Sequence, residues 1–228
     1  ISGLVFNAWG DRPIEGPYGV WFDGDWNKPR LDDPAIQKGL SDYAGLMQAG
    51  PSDILSYNWN EAGNAFCNGQ AAFFADASLF GPWLESDDCP ISKDNTGYMA
   101  LPPQKKGGTS YTANWQWGIG MGANAQEKDA GWYFIQYMTN KSSEPKIGTY
   151  HGGAGRLSTW ENDEYTSTLN PDYVSATLES MKTVRTSVVP VKDFNKYALE
   201  VMDVILRIHA GESSEAATAE GNENFKNM

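Results

Sequence analysis

The sequence predicts an α/β fold. Segments with helical apolar period outnumber short strand-like ones, and each strand-like segment is separated from the next by a helix. The chain's 228 residues, with 40% apolar content, support one large domain or two small ones around a real core. No repeat of 20 to 50 residues and no low-complexity tract points to a solenoid or a linker.

The first thirty residues are rich in Gly, Pro and aromatics, which reads as loop or short-strand material. A helix follows. Asp32 or Asp33 caps it, Pro34 suits its first turn, and Ile36, Leu40, Tyr43 and Met47 recur at helical steps before Gly50 stops it. A second helix near Trp59 to Asn68 places Ala62 and Phe66 on one face and ends at Gly69. A strand over 71–76 comes next, then a short helical piece around Leu79 to Glu85 and a strand over 97–101 that ends at Pro102-Pro103. Gly107-Gly108 turns the chain into a strand over 111–121. The helix expected from Gln126 to Thr139 carries Trp132, Phe134, Ile135 and Met138, and a polar, Gly-rich loop over 141–158 follows it. A helix near Asp172 to Thr183 precedes a strongly periodic one with Phe194, Tyr197, Val201, Val204, Ile205 and Ile208, stopped at Gly211. The polar tail from Glu212 suits one more helix containing Ala216 and Ala217.

A formal charge of −12 and a pI near 4.5 exclude nucleic acid and anionic membrane surfaces as partners. No apolar run approaches the roughly 18 residues of a membrane span. The chain opens on Ile1 and carries no signal segment, as expected of a trimmed or excised chain. Cys67 and Cys89 are either a disulfide closing about 22 residues or two unrelated thiols.

Two segments carry the chemistry: Gly69-Gln-Ala-Ala-Phe-Phe-Ala-Asp-Ala-Ser78 and Asn114-Trp-Gln-Trp-Gly-Ile-Gly120. Each reads as a strand ending in small or polar residues beside aromatics, Phe80 and Trp83 in one case and Trp115 and Trp117 in the other. Flat aromatic faces flanked by hydrogen-bonding groups match a carbohydrate, which has apolar C–H faces and a polar rim. Asp76, at a strand's carboxyl end, is expected to accept ligand hydroxyls, with a helix cap as its plainer reading. Trp115 and Trp117 share one strand face with Asn114 and Gln116 opposite, and Gly118 permits close approach. Trp9, in the loop Asn7-Ala-Trp-Gly-Asp11, and Arg156, after Gly152-Gly-Ala-Gly155, complete the candidate ligand-binding set. Core packing for the indoles and a surface ion pair for Arg156 are the alternatives.

No metal or cofactor is expected. Asp23-Gly-Asp25-Trp-Asn27 opens like a calcium loop, but Lys28 stands where Gly is needed and Pro34 where Glu is needed. His151 and His209 are too few and too scattered for zinc. A carbohydrate-active enzyme would need paired carboxylates, for which Asp76 with Glu61 or Asp87 are the candidates. A scaffold or adhesive module is a third class.

The order of segments resembles a known family. Trp59-Asn-Glu-Ala, Ala65-Phe-Cys-Asn-Gly-Gln-Ala-Ala-Phe-Phe-Ala-Asp, Gly97-Tyr-Met-Ala-Leu-Pro-Pro103, Trp117-Gly-Ile-Gly-Met121 and Ala130-Gly-Trp-Tyr-Phe-Ile-Gln-Tyr-Met138 follow one another as in the second half of extracellular solute-binding proteins of carbohydrate ABC importers. The segment from Val20 to Pro34 is similar to the version in sugar and polyol receptors. The resemblance implies the C-terminal lobe of a two-lobe, type II periplasmic-binding-protein-like α/β fold, with the N-terminal lobe missing. In that scheme residues 1–121 form the main part of the lobe, 122–160 cross over to pack on the other lobe, and 161–228 return as C-terminal helices. It further implies that a sugar or sugar alcohol is bound in an interlobe cleft and passed unchanged to the membrane subunits of an importer. The setting is periplasmic or extracellular, membrane-associated in a Gram-positive host. The missing lobe or another chain completes the cleft. Many relatives carry a stacking aromatic where this chain has Leu79, so Phe80 or the Trp115/Trp117 pair takes that role.

Overall fold

A computed structural model describes residues 1–14, 16–93, 95–151 and 153–228. The helices are α1 (Ser2–Trp9), α2 (Pro34–Gln48), α3 (Trp59–Cys67), α4 (Gly81–Leu84), α5 (Lys128–Thr139) and α6 (Glu144–His151). They continue as α7 (Leu157–Trp160), α8 (Asp163–Thr166), α9 (Pro171–Met181), α10 (Phe194–His209) and α11 (Ser214–Lys226). Two strands, β1 (Thr112–Asn114) and β2 (Val184–Thr186), pair in parallel with Asn114 opposite Thr186. The chain forms two compact units. The first comprises Ile1–Ser56, Ala100–Trp115 and Ser180–Met228, and the second Tyr57–Met99 and Gln116–Glu179. These boundaries fall elsewhere than 121 and 160.

The first unit is built on α1, α2, α10 and α11. Asp33 caps α2 by accepting from the Ala35 N–H at 2.9 Å, and Pro34 occupies its first turn. Ile36, Gly39, Leu40 and Ala44 form its buried face. Gly39 is required there: a Cβ would lie 2.6 Å from the Val5 Cα, so only glycine lets α1 cross α2 this closely. Val201, Val204 and Ile205 of α10 close the core with Phe22 and Phe225, whose rings stack at 5.7 Å. In α11, Ser213 is the cap and Ala217 is buried, while Ala216 faces solvent.

Helix α1 corrects the expectation of loop or strand for the first residues. Gly3 is tolerated within the helix, the prolines and the other glycines come only after Trp9, and Val5, Phe6 and Trp9 bury at helical spacing. The expected strand over 111–121 is also corrected. Only its first part pairs, because β2 offers backbone partners opposite Thr112–Asn114 and no other described residue continues the ladder beyond them. The expected strands over 71–76 and 97–101 form no ladder either, so apolar residues there did not find a neighbouring strand.

In the second unit, Asn58 and Glu61 form a reciprocal capping box at the start of α3. Cys67 and Cys89 are joined by a disulfide with Cα atoms 4.8 Å apart, and both are buried with Leu84. A Cβ on Gly81 would fall 2.3 Å from the Tyr173 ring, whose hydroxyl donates to the Ser78 carbonyl at 2.8 Å. Tyr165 and Tyr173 pack edge-on against Trp160. Burial pushes the Tyr165 hydroxyl up to about 12, and Glu144 adds to that shift. The loop expected over 141–158 instead holds α6 and the start of α7. Asn140 Oδ1 accepts from the Ser142 and Ser143 N–H groups and launches α6. Gly152, from the loop expected before Arg156, lies outside the described residues, as does the His151 side chain. Helix α5 buries none of its residues, and Trp132, Tyr133, Phe134 and Tyr137 all stand in solvent.

Candidate functional site

The candidate residues divide between the units: Trp9, Asn114 and Trp115 belong to the first, and Asp76, Trp117, Gly118 and Arg156 to the second. In the first unit β1 and β2 run in parallel, so their carboxyl ends, Asn114 and Thr186, share one edge. Ligands of α/β sheets gather outside that edge. Trp115 follows the end of β1 and is 59% exposed, leaving its indole able to cover a ligand. The Asn114 carbonyl accepts from Ser187 Oγ at 2.8 Å, which ties the two strand ends together.

Trp9 is placed in the core instead of at a binding surface. It is 3% exposed, the Arg12 guanidinium lies 3.6 Å over its ring, and its indole N–H donates to the Arg12 carbonyl at 3.1 Å. Its neighbours were the missed signal. A groove of about 440 Å³, within the range of small-ligand sites, is lined by Asp11, Arg12 and Ile14 on one side and Arg185, Thr186 and Val189 on the other. The Asp11 carboxylate accepts from the Tyr111 hydroxyl, which raises the phenol's pKa. Arg185 lies 3.5 Å over the Tyr111 ring and donates to the Gly10 carbonyl at 2.8 Å. Burial lowers its pKa somewhat from the usual arginine value, against the pull of Tyr111 and Asp11. Arg12 is committed to a bidentate pair with Asp33 at 2.9 and 2.7 Å.

In the second unit, Asp76 is exposed and its Oδ1 accepts from the Ala77 N–H at 2.7 Å. Desolvation raises its pKa, with that hydrogen bond opposing. Asp76 does not cap the turn that begins at Ser78, where Ala77 is the capping residue. Trp117 is 71% exposed, and a Cβ at Gly118 or Gly120 would meet nothing within 4 Å. Trp115 and Trp117 do not share a strand face, because the ladder ends at Asn114. Phe80 packs edge-on to Trp59 and Phe74 and lies 6.0 Å from Trp83. Arg156 donates through Nε and Nη2 to the Thr139 carbonyl, at 2.9 and 2.5 Å, and so closes the end of α5.

The carboxylates offered beside Asp76 for acid–base chemistry have structural partners. Glu61 accepts from the Asn58 N–H at 2.9 Å, and fully exposed Asp87 pairs with Lys93, which lowers its pKa. Asp23 and Asp25 build a tight turn: Asp25 accepts from the Asn27 N–H at 3.0 Å and Asp23 pairs with Arg30 at 2.9 Å. Among the described residues, no group of three or more His, Cys, Asp or Glu side chains is gathered as a metal would need.

Comparison with known proteins places this geometry in a family. Residues 2–145 match the model of the bacterial extracellular solute-binding proteins. A mannitol-binding protein of Pseudomonas aeruginosa is 27% identical over 192 residues, covering 81% of this chain and 41% of that protein. Among solved structures, a solute-binding protein of an ABC transporter from Agrobacterium radiobacter, in complex with ribitol, superposes with a TM-score of 0.77 at 20% identity, over 98% of this chain and 55% of that one. One from Agrobacterium vitis with bound D-mannitol gives 0.72 at 20% identity, over 99% and 56%. The chain thus spans about half the length of these relatives, and its α/β fold is that of one half of a two-lobe solute-binding protein. The chain belongs to the family of bacterial extracellular solute-binding proteins.

Proposed function

We propose that the whole protein binds a neutral sugar or sugar alcohol in a cleft between two lobes and delivers it unchanged to an ABC importer from a periplasmic or extracellular position. The observation that carries this reading is that Trp115 in the first unit and Trp117 in the second each stand exposed, in a chain similar to proteins with bound ribitol and D-mannitol. Solvating two tryptophans costs free energy that burial against a ligand's C–H face recovers, at about 25 cal/mol per Å². Asp76, Asn114 and the open backbone at Gly118 supply the polar contacts in this assignment, while Trp9 and Arg156 position their surroundings. The structural partners of Glu61 and Asp87 disfavour the hydrolase alternative.

In the same reading, residues 1–121 and 161–228 make the C-terminal lobe and 122–160 meet the other lobe or another chain. The exposed aromatics of α5 support this, since four of them on one short helix call for a partner. Calorimetry with monosaccharides, disaccharides and polyols on a chain that includes the other half tests the function. Saturable binding with the sugar recovered intact is expected. A response to amino acids or peptides alone, or conversion of the sugar, overturns the reading.

A further inference from the structure

The groove of the first unit draws its walls from two distant segments, around Asp11 and Arg185, and Tyr111 touches both of those side chains. Its second wall, Thr186 through Pro190, continues directly from the carboxyl end of β2. The neighbouring strand ends opposite, at Asn114, and runs on into Trp115. The groove therefore sits on the edge of the parallel pair where α/β folds place ligands.

Its polar groups are set in place and incompletely used. Asp11 Oδ1 is held by the Tyr111 hydroxyl, and its other oxygen takes no hydrogen bond from any described residue. Arg185 is braced by the Tyr111 ring and by the Gly10 carbonyl, yet forms no ion pair with a described carboxylate. A fixed carboxylate oxygen beside a fixed guanidinium can accept from one hydroxyl and donate to its neighbour. Ile14, Val189 and Pro190 give the groove an apolar lining for the carbon skeleton between them. Charge narrows the choice further. Arg12 is neutralised by Asp33, and Asp11 balances Arg185, so the described residues leave no surplus cation to hold an acid. The chain's net charge of −12 disfavours anions as well.

We propose that this groove is the first unit's own polyol subsite, in which Asp11 and Arg185 take a pair of vicinal hydroxyls and the balanced charge selects neutral ligands over sugar acids. The inference rests on the proposed function and adds a location and a selectivity to it. The deciding experiment is an amide chemical-shift titration of the ¹⁵N-labelled 228-residue chain with D-mannitol, ribitol and D-gluconate. Saturable shifts at Gly16, Gly19 and Thr186 are expected with the two polyols, and at least tenfold weaker ones with gluconate. Asp11→Asn should weaken polyol binding about tenfold, and Val188→Trp, which fills the groove, should abolish the shifts there. Polyol shifts confined to the second unit, around Asp76 and Trp117, would overturn the subsite and leave the proposed function standing. Gluconate binding as tightly as mannitol would overturn the selectivity. No saturable response to any neutral sugar or polyol, here and in a chain containing the other half, would overturn both. Should either variant unfold, the shift map of the unaltered chain decides alone.

Discussion

Asn7 and Tyr111, 104 residues apart in sequence, are clasped by two hydrogen bonds: the Asn7 amide donates to the Tyr111 carbonyl at 2.7 Å and its Oδ1 accepts from the Tyr111 N–H at 2.9 Å. A third bond, to the Gly3 carbonyl at 2.8 Å, satisfies the remaining amide hydrogen. One buried side chain thereby fixes where β1 begins relative to α1, and with it the approach of Tyr111 to Asp11. Asn7→Leu keeps the branched outline and strands two backbone groups, each costing about 1–3 kcal/mol. We expect a loss of about 2–4 kcal/mol in urea unfolding; a loss below about 0.5 kcal/mol would show that the clasp holds nothing.

The disulfide should matter for the second unit above all. Closing a loop of 22 residues constrains the unfolded chain by about 3 kcal/mol. With reductant, thermal unfolding followed by amide exchange should show α3 and α4 opening at lower temperature, while α2 and α10 hold their protection. Uniform loss across both units would instead indicate that they unfold as one.

Acid should weaken the Arg12–Asp33 pair. Asp33 has its pKa lowered, chiefly by the hydrogen bond from Arg12, so the stability it contributes is complete above its ordinary value of about 4 and disappears as pH falls through the lowered one. Because Arg12 is about half exposed, the contribution is about 1 kcal/mol or less. Asp33→Asn retains the helix cap and removes the charge. Its stability should fall less steeply than the parent's below about pH 4. Parallel acid limbs for the two proteins would remove the pair from the account.

Trp117→Ala and Asp76→Ala should lower polyol affinity of a chain containing both halves by roughly tenfold each, a difference of about 1.4 kcal/mol. Both residues are exposed, so melting temperature should stay within about 2 °C. Trp9→Ala should do the reverse, lowering stability by about 3–5 kcal/mol, since its ring is buried beneath Arg12. Calorimetry and thermal melts on the same variants separate the two behaviours. A Trp117 variant that melts early and binds normally would return that indole to the core.

The isolated 228-residue chain should bind more weakly than one that includes the other half, by tenfold or more. A cleft ligand is buried from two sides, and one wall leaves part of its surface in water. Equal affinities in side-by-side titrations would contradict the two-wall arrangement.

Sequence alone determined the features that close within a few residues. Helix α2 is legible because cap, period and stop lie within one segment, with Asp33 and Pro34 before Ile36, and α10 because period and stop do, with Phe194 through Ile208 before Gly211. The chemistry of aromatic rings beside polar groups is legible for the same reason. Tertiary structure alone decided which residues of a given type face out. Trp9 and Trp115 are the same side chain, yet one is roofed by Arg12 and the other stands beyond the last ladder bond of β1. Segments 71–76 and 97–101 are apolar enough for strands, but pairing needs a second backbone that no local pattern supplies. The groove brings together Asp11 and Arg185, from opposite ends of the chain. Local energetics set by backbone dihedrals and capping act over one or two turns, whereas burial and strand pairing depend on which distant segment arrives, and that is a property of the folded chain.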